Sequence, residues 1–237
     1  INITNGCGST HLEALQAKVL EEGAHVGIAN DGDADRCLAV DENGDVVDGD
    51  QIMLVCALEL MKRGKLKDNM LVTTVMSNIG MHMAMKEAGG KTCKTNVGDR
   101  YVLEEMLKHN YTLGGEQSGH IIFSEYAKTG DGILTAVQLL CTMVRNNKPL
   151  SELANVMTKY PQVLLNVRVK DKNGWDEKET IQAVIKKYQE ELGEQGQILV
   201  RASGTEPLIR IMAEGPKQDR LEQICNAIAE VVTEALA

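Results

Sequence analysis

Asp31-Gly32-Asp33-Ala34-Asp35-Arg36 carries three carboxylates at alternate positions and ends on an arginine. It lies between two apolar stretches, residues 26–29 and 38–40, that read as buried strands. Few folds tolerate this arrangement, because three anions between buried strands are costly unless something neutralises them. In an extended segment every second side chain points the same way, so Asp31, Asp33 and Asp35 are expected to converge. An all-oxygen set of that kind suits a hard divalent ion such as Mg²⁺, Mn²⁺ or Ca²⁺. Arg36 adds a fixed positive charge, as a phosphorylated partner requires. The competing reading is an acidic surface turn, in which Gly32 and the aspartates are ordinary residues. An EF-hand fails twice: its sixth position needs glycine and holds Arg36, and the flanks read as strands where helices are required. An aspartyl-nucleophile phosphatase, with an Asp after a buried strand and another two residues on, stays open as an alternative chemistry.

Downstream, apolar and polar stretches alternate with helical and strand periods. A helix is expected near residues 12–22, stopped by Gly23. A hairpin joins residues 38–40 and 46–47 through Asn43-Gly44. Helices are then expected at 52–63, 80–88, 100–109 and 132–145, with strands at 71–75 and 92–96 and strand character across 111–123. Such alternation implies a mainly parallel sheet covered by helices. Asn146-Asn147-Lys148-Pro149 breaks the pattern, and a short helix at 151–157 follows. Strands at 163–169, 198–202 and 208–213 and helices ending near Gly193 and Leu236 then give the order β-α-β-β-α. Asp176 and Glu179 are expected to cap the first of these helices. The fold class is therefore α/β, with mixed, mainly parallel α/β units followed by a small α+β domain. The expected division is 1–50, 51–157 and 158–237. Residues 1–3 read as the middle of a strand, and the chain starts on Ile1, so it is expected to be a fragment of a longer protein.

Composition removes several classes. The net charge of −9 argues against nucleic acid as the main partner. Aromatics make up only 3% of the chain, which leaves aliphatic residues and eleven methionines to fill the core. Cys7, Cys37, Cys56, Cys93, Cys141 and Cys225 form no C-x-x-C pair and mostly sit in apolar stretches, so they read as free thiols of a reducing cytoplasm. No apolar run reaches membrane-spanning length, and no signal peptide pattern occurs.

Two further loops carry chemistry. Gly114-Gly115-Glu116-Gln117-Ser118-Gly119-His120 sits between Leu113 and Ile121. Its glycines let backbone approach a ligand, Glu116 and Ser118 suit sugar hydroxyls, and His120 can bind phosphate or move a proton. A polar turn with a satisfied histidine is the plain alternative. Arg201-Ala202-Ser203-Gly204-Thr205-Glu206-Pro207 follows a strand, with Arg210 soon after. Ser203, Gly204 and Thr205 offer hydroxyls and successive N–H groups for an anion, and Arg201 and Arg210 complete a phosphate clamp. The alternative there is a strand-joining turn with two solvated arginines. Residues 96–100 and 128–132 read as helix starts, with a contact to the sugar site as the alternative for 128–132. A metal loop, a hydroxyl-reading loop and a phosphate clamp, in that order, imply a phosphorylated sugar held across a cleft.

Together these three loops resemble the α-D-phosphohexomutase family from end to end of the chain. The Gly-Glu-Gln-Ser-Gly-His wording resembles members that act on glucosamine phosphates. The resemblance implies four domains, of which this chain would hold the end of the second and all of the third and fourth. No Thr-x-Ser-His-Asn-Pro stretch occurs, so the family's phosphoserine loop is absent. The implied reaction interconverts glucosamine 6-phosphate and glucosamine 1-phosphate through a phosphoserine and a 1,6-bisphosphate, for amino-sugar nucleotide and cell-wall precursor synthesis. Asp31, Asp33 and Asp35 would hold Mg²⁺ with a serine phosphate as fourth ligand. Arg36 and His120 would act catalytically. Glu116, Ser118, Arg201, Ser203, Gly204, Thr205 and Arg210 would bind substrate. The resemblance further implies a cytoplasmic enzyme, a possible homodimer at full length, and an inactive fragment. A metal-dependent aspartyl-phosphate sugar phosphatase and a non-catalytic phosphosugar-binding module are the alternatives. Against the phosphatase, the residue two past Asp33 is Asp35 rather than Thr or Val.

Overall fold

The acidic loop joins two antiparallel neighbours, β1 (Val26–Asn30) and β2 (Cys37–Asp41), which pair from Val26 with Asp41 to Asn30 with Cys37. The computed structural model describes residues 8–236, so the strand expected at 1–3 and Cys7 lie outside the described residues. β3 (Val46–Val47) completes a three-stranded sheet. The β2–β3 turn passes through Gly44 at φ +84°, where a side chain would be strained. The buried Asp41 carboxylate fixes this turn by accepting from the N–H groups of Asn43 and Asp45, both at 2.9 Å. α1 (Glu13–Glu22) covers β1 and β2 and ends on Gly23 in the left-handed region, as glycine at that position favours. Among the described strands this sheet is wholly antiparallel. The acidic loop is therefore a strand-to-strand turn, as expected.

α2 (Gly49–Lys62) starts with a reciprocal cap: Asp48 accepts from the Gln51 N–H, and the Gln51 side chain accepts from the Asp48 N–H. It buries Ile52, Met53, Leu54, Val55, Cys56 and Ala57, so it is a core helix rather than a covering one. Around it lie β4 (Met70–Thr74), α3 (Ile79–Glu87), β5 (Lys91–Thr95), α4 (Asp99–His109), β6 (Leu113–Gly115), β7 (Ile121–Phe123) and α5 (Gly132–Asn146). The sheet order is β5-β4-β6-β7, parallel except at β7. Met53, Met81, Met85 and Met106 are buried, filling the core where aromatics are scarce. The helix expected at 151–157 is shorter, α6 (Leu150–Ala154). Its start is tied to the end of β2 by Glu42, which accepts from the Ser151 hydroxyl and N–H. This first compact unit runs to Thr158.

The second unit begins at Lys159. β8 (Gln162–Arg168), β9 (Gln197–Ala202) and β10 (Leu208–Glu214) form an antiparallel sheet with β10 central. α7 (Glu179–Leu192) and α8 (Gln218–Ala235) pack on it and on each other. Ile181, Ile209, Ile211, Leu221, Ile224, Ile228 and Val232 form the buried core between sheet and helices. Asp176 does not cap α7. It lies in a separate 3-10 turn (Trp175–Glu177), and Lys178 stands at the helix start with no side-chain cap, while Glu179 is already helical. The turn takes up the residues that the capping pattern would need. Among the described residues Cys37, Cys56, Cys93, Cys141 and Cys225 are free thiols, and no helix is long and apolar enough to cross a membrane.

Candidate metal and phosphate sites

Asp31, Asp33 and Asp35 each place a carboxylate oxygen within 4.8 Å of the others. They converge by a route different from strand alternation. Residues 32–34 turn, and Ala34 takes φ +59°, uncommon for a residue with a Cβ. Three hydrogen bonds hold that conformation. The Ala34 carbonyl accepts from the Gly132 N–H at 2.9 Å, the Arg36 N–H donates to Asp31 Oδ1 at 3.1 Å, and Asn30 Nδ2 donates to the Arg36 carbonyl at 2.8 Å. Gly132 has to be glycine, because a Cβ there would lie 2.3 Å from the Arg36 carbonyl and from Asn30 Nδ2.

The carboxylates differ electrostatically. Burial raises both, but at Asp31 the Arg36 N–H and the neighbouring Asp35 outweigh it and hold the group below its ordinary value. Burial and the adjacent Asp31 push Asp35 up. Asp35 Oδ1 is buried with no hydrogen-bond partner, which costs free energy that a cation would recover. Arg36 Nε stands 3.6 Å from Asp31 Oδ2 and 4.0 Å from Asp35 Oδ1. The donor set is all oxygen, clustered and partly orphaned, and fits a hard divalent ion.

His120 reaches the same centre. Its Nε2 is 3.5 Å from Asp35 Oδ2, and the residue is buried. The backbones of the two loops are joined: Arg36 and His120 form an antiparallel bridge, and the Cys37 N–H donates to the Gly119 carbonyl at 3.0 Å. Gly119, at φ +93°, approaches so closely that a Cβ would lie 2.4 Å from the Cys37 carbonyl oxygen. Gly130 lies against the imidazole, where a Cβ would meet Cδ2 and Nε2 at 2.4 Å. Glu116 Oε1 accepts from the Gly98 N–H at 3.0 Å, and Ser118 on the same loop is exposed. Gly98 thus does more than start α4: its φ of +131° turns its N–H onto Glu116. Asp131 does cap α5, accepting from the Leu134 N–H at 2.8 Å.

The other candidate residues lie in the second unit. Arg201 on β9 and Arg210 on β10 are directly paired in register. Like charges directly opposite are destabilising. Burial, with Arg210 second, lowers the affinity of Arg201 for its proton. Arg210 Nε is buried without a hydrogen-bond partner, although Nη2 is 3.7 Å from Glu206 Oε2. Ser203 is buried, and its hydroxyl accepts from the Glu206 N–H at 3.3 Å. Gly204 and Thr205 are exposed. Lys172 donates to three carbonyls of this loop. Asn30, Ala34 and Lys172 carry no functional signal in the sequence, whereas Gly130 falls in the stretch 128–132. Nothing local marks the first three, because each acts on a partner distant in the chain or through an unusual backbone angle.

Comparison with known proteins identifies a family for the chain. Residues 48–160 match the phosphoglucomutase/phosphomannomutase alpha/beta/alpha domain III, and residues 164–231 match the C-terminal domain of the same proteins. A phosphoglucosamine mutase of Symbiobacterium thermophilum is 58% identical over 232 residues, 98% of this chain and 52% of the relative. One from Brevibacillus brevis is 54% identical over 236 residues, 100% of this chain and 53% of the relative. The chain thus spans about half the length of the curated relatives it matches. The structure of Aspergillus fumigatus N-acetylphosphoglucosamine mutase in complex with GlcNAc-6P and magnesium has the same fold, with a TM-score of 0.76 at 22% identity over 98% of this chain and 53% of that one.

Proposed function

Because the chain belongs to the phosphoglucomutase/phosphomannomutase family, the α-D-phosphohexomutases, we propose that it is part of a phosphoglucosamine mutase. The observation that carries this reading is the meeting of three carboxylates, Arg36 and His120 at one centre. The Aspergillus complex is named for both a phosphosugar and magnesium, and the clustered carboxylates of Asp31, Asp33 and Asp35 offer Mg²⁺ its site in this reading. The three-part division at 50/51 and 157/158, a cytoplasmic location and a full-length homodimer belong to the same proposal.

In this reading a serine outside the chain carries a phosphoryl group. That group passes to the C1 hydroxyl of glucosamine 6-phosphate, giving a 1,6-bisphosphate. After the sugar reverses, its C6 phosphoryl returns to the serine and glucosamine 1-phosphate leaves. The chemistry supplied by bound Mg²⁺, with the serine phosphate as fourth ligand, is neutralisation of charge on the transferring group. Arg36 adds a fixed positive charge beside it. His120, its ring held by Asp35 3.5 Å from Nε2, handles the exchanged proton. Glu116, fixed by the Gly98 N–H, and Ser118 read sugar hydroxyls. Arg201, Ser203, Gly204, Thr205 and Arg210 bind the phosphate that is not reacting.

The chain alone is expected to be inactive. The test adds the separately expressed N-terminal half of the Symbiobacterium relative and follows conversion of glucosamine 6-phosphate to glucosamine 1-phosphate with Mg²⁺. Conversion that needs both halves and is lost in Asp33→Ala supports the mutase. Phosphate release by this chain alone points instead to an aspartyl-phosphate hydrolase, and saturable sugar-phosphate binding with no turnover in either mixture points to a binding module.

A further inference from the structure

We propose that Lys172 is the positioning residue of the anion loop, turning the N–H groups of Gly204 and Thr205 outward to meet a phosphate. This inference rests on the reading of that loop as a phosphate site. The observation is the number of contacts made by a single ammonium. Lys172 Nζ lies 2.5 Å from the Ser203 carbonyl, 3.3 Å from that of Gly204 and 3.1 Å from that of Glu206. An ammonium has three donors, so all are committed to the loop. Lys172 is thereby occupied and does not itself compete for the anion.

The consequence follows from peptide geometry. In a trans peptide the carbonyl and the following N–H point in opposite directions, and the described chain has no cis bond. Gathering the Ser203 and Gly204 carbonyls on Lys172 therefore turns the Gly204 and Thr205 N–H groups away from it. The third carbonyl, that of Glu206, precedes Pro207, which has no N–H to orient. The loop's other N–H groups are used internally. Ser203 donates to the Leu208 carbonyl, Glu206 to the Ser203 hydroxyl and Leu208 to the Glu206 carbonyl. Gly204 and Thr205 N–H make no hydrogen bond among the described residues. Two free N–H groups, with Arg201 and Arg210 at the base of the loop, make a set of donors for a tetrahedral anion.

A purely structural lysine would support the loop without affecting phosphate affinity at constant stability. The test uses the whole chain and inorganic phosphate, followed by amide NMR shifts at Gly204 and Thr205 and by calorimetry. Lys172→Met keeps the apolar stem and removes the ammonium. Lys170→Met removes the same charge from an exposed neighbour that does not hold the loop. Misdirecting one charge-assisted donor should weaken phosphate binding by about tenfold in Lys172→Met. Lys170→Met should bind as the wild type does, Lys172→Arg should recover part of the loss, and the melting temperature should separate any loss of fold. Equal weakening in both Met variants would overturn the proposal, since charge alone would then explain it, as would wild-type affinity in Lys172→Met. A wild-type chain that shows no phosphate response at either amide would instead overturn the reading of the loop as a phosphate site. If Lys172→Met fails to fold, Lys172→Arg carries the test: wild-type phosphate affinity together with wild-type phosphate-induced shifts at the Gly204 and Thr205 amides in this variant would overturn the proposal.

Discussion

Gly130→Ala tests the role of His120 without removing a polar group. Gly130 lies outside the left-handed region, so alanine brings no backbone strain there. What it brings is one methyl carbon 2.4 Å from both Cδ2 and Nε2 of a buried imidazole. Ordinary contact needs about 3.5 Å, so the ring has to retreat by about 1 Å. The main chain of His120 cannot follow, because its carbonyl accepts from the Glu116 N–H at 3.0 Å and its backbone bridges Arg36. The ring must rotate, and Nε2 loses its 3.5 Å placement on Asp35. Overpacking of this kind costs about 1–3 kcal/mol of stability. A misplacement of about 1 Å at a reacting group costs about 100-fold in turnover. The assay is glucosamine 1-phosphate formation by the full-length protein, with denaturant unfolding of this chain alongside. Turnover should fall far more than KM rises. Gly32→Ala, where a Cβ meets nothing within 4 Å, should leave stability unchanged. Wild-type turnover in Gly130→Ala would refute the assignment of a proton-handling role to His120.

Three other outcomes follow from the same geometry. Asp33→Ala removes one of three clustered oxygens and should weaken Mn²⁺ binding to the chain by at least about tenfold, read by calorimetry; unchanged affinity would exclude the acidic loop as the metal site. His82 is depressed to about 3, by burial first and by Lys94 second. Between its ordinary 6.5 and that value only the unfolded chain takes up the proton, so stability should fall as pH drops through this window, by up to about 1.4 kcal/mol per pH unit. Denaturant midpoints of His82→Gln that keep the full wild-type slope from pH 6.5 downward would contradict this. Burial pushes the Cys37 and Cys56 thiols up to about 12. Both should resist alkylation at pH 8 in the folded chain and react in denaturant, and mass spectrometry that finds them labelled natively would show that the core opens.

The elements were largely legible because they obey local rules. Gly23 ends α1 in the left-handed region, as expected of glycine after a helix. The periodicity of residues 132–145 marked α5 correctly to within a residue. Asp176 misled, since a capping pattern does not tell whether a tight turn will claim the residue first. In the site, the types of residue were visible and their means of convergence was not. The three aspartates meet because Ala34 leaves the extended region, held there by the N–H of Gly132, about a hundred residues away in sequence. Lys172 was silent for a similar reason. A lysine between two turns has no pattern of its own, and its importance lies in three carbonyls some thirty residues downstream.

Beside the His120–Asp35 contact, main chain joins the acidic loop to the loop at 114–120 through the Cys37 N–H on the Gly119 carbonyl and the Arg36–His120 bridge, and the start of α2 adds the Gly49 N–H on the Gln117 carbonyl. Backbone contacts are indifferent to side-chain identity. Positions such as 116 and 118 can therefore be exchanged in a library while the frame that orients the cation ligands is inherited intact. The glycines that permit the close approach, 49, 119 and 132, should be kept constant in such a library. On the proposed reading, the positions that read the sugar are separable from the machinery beside them.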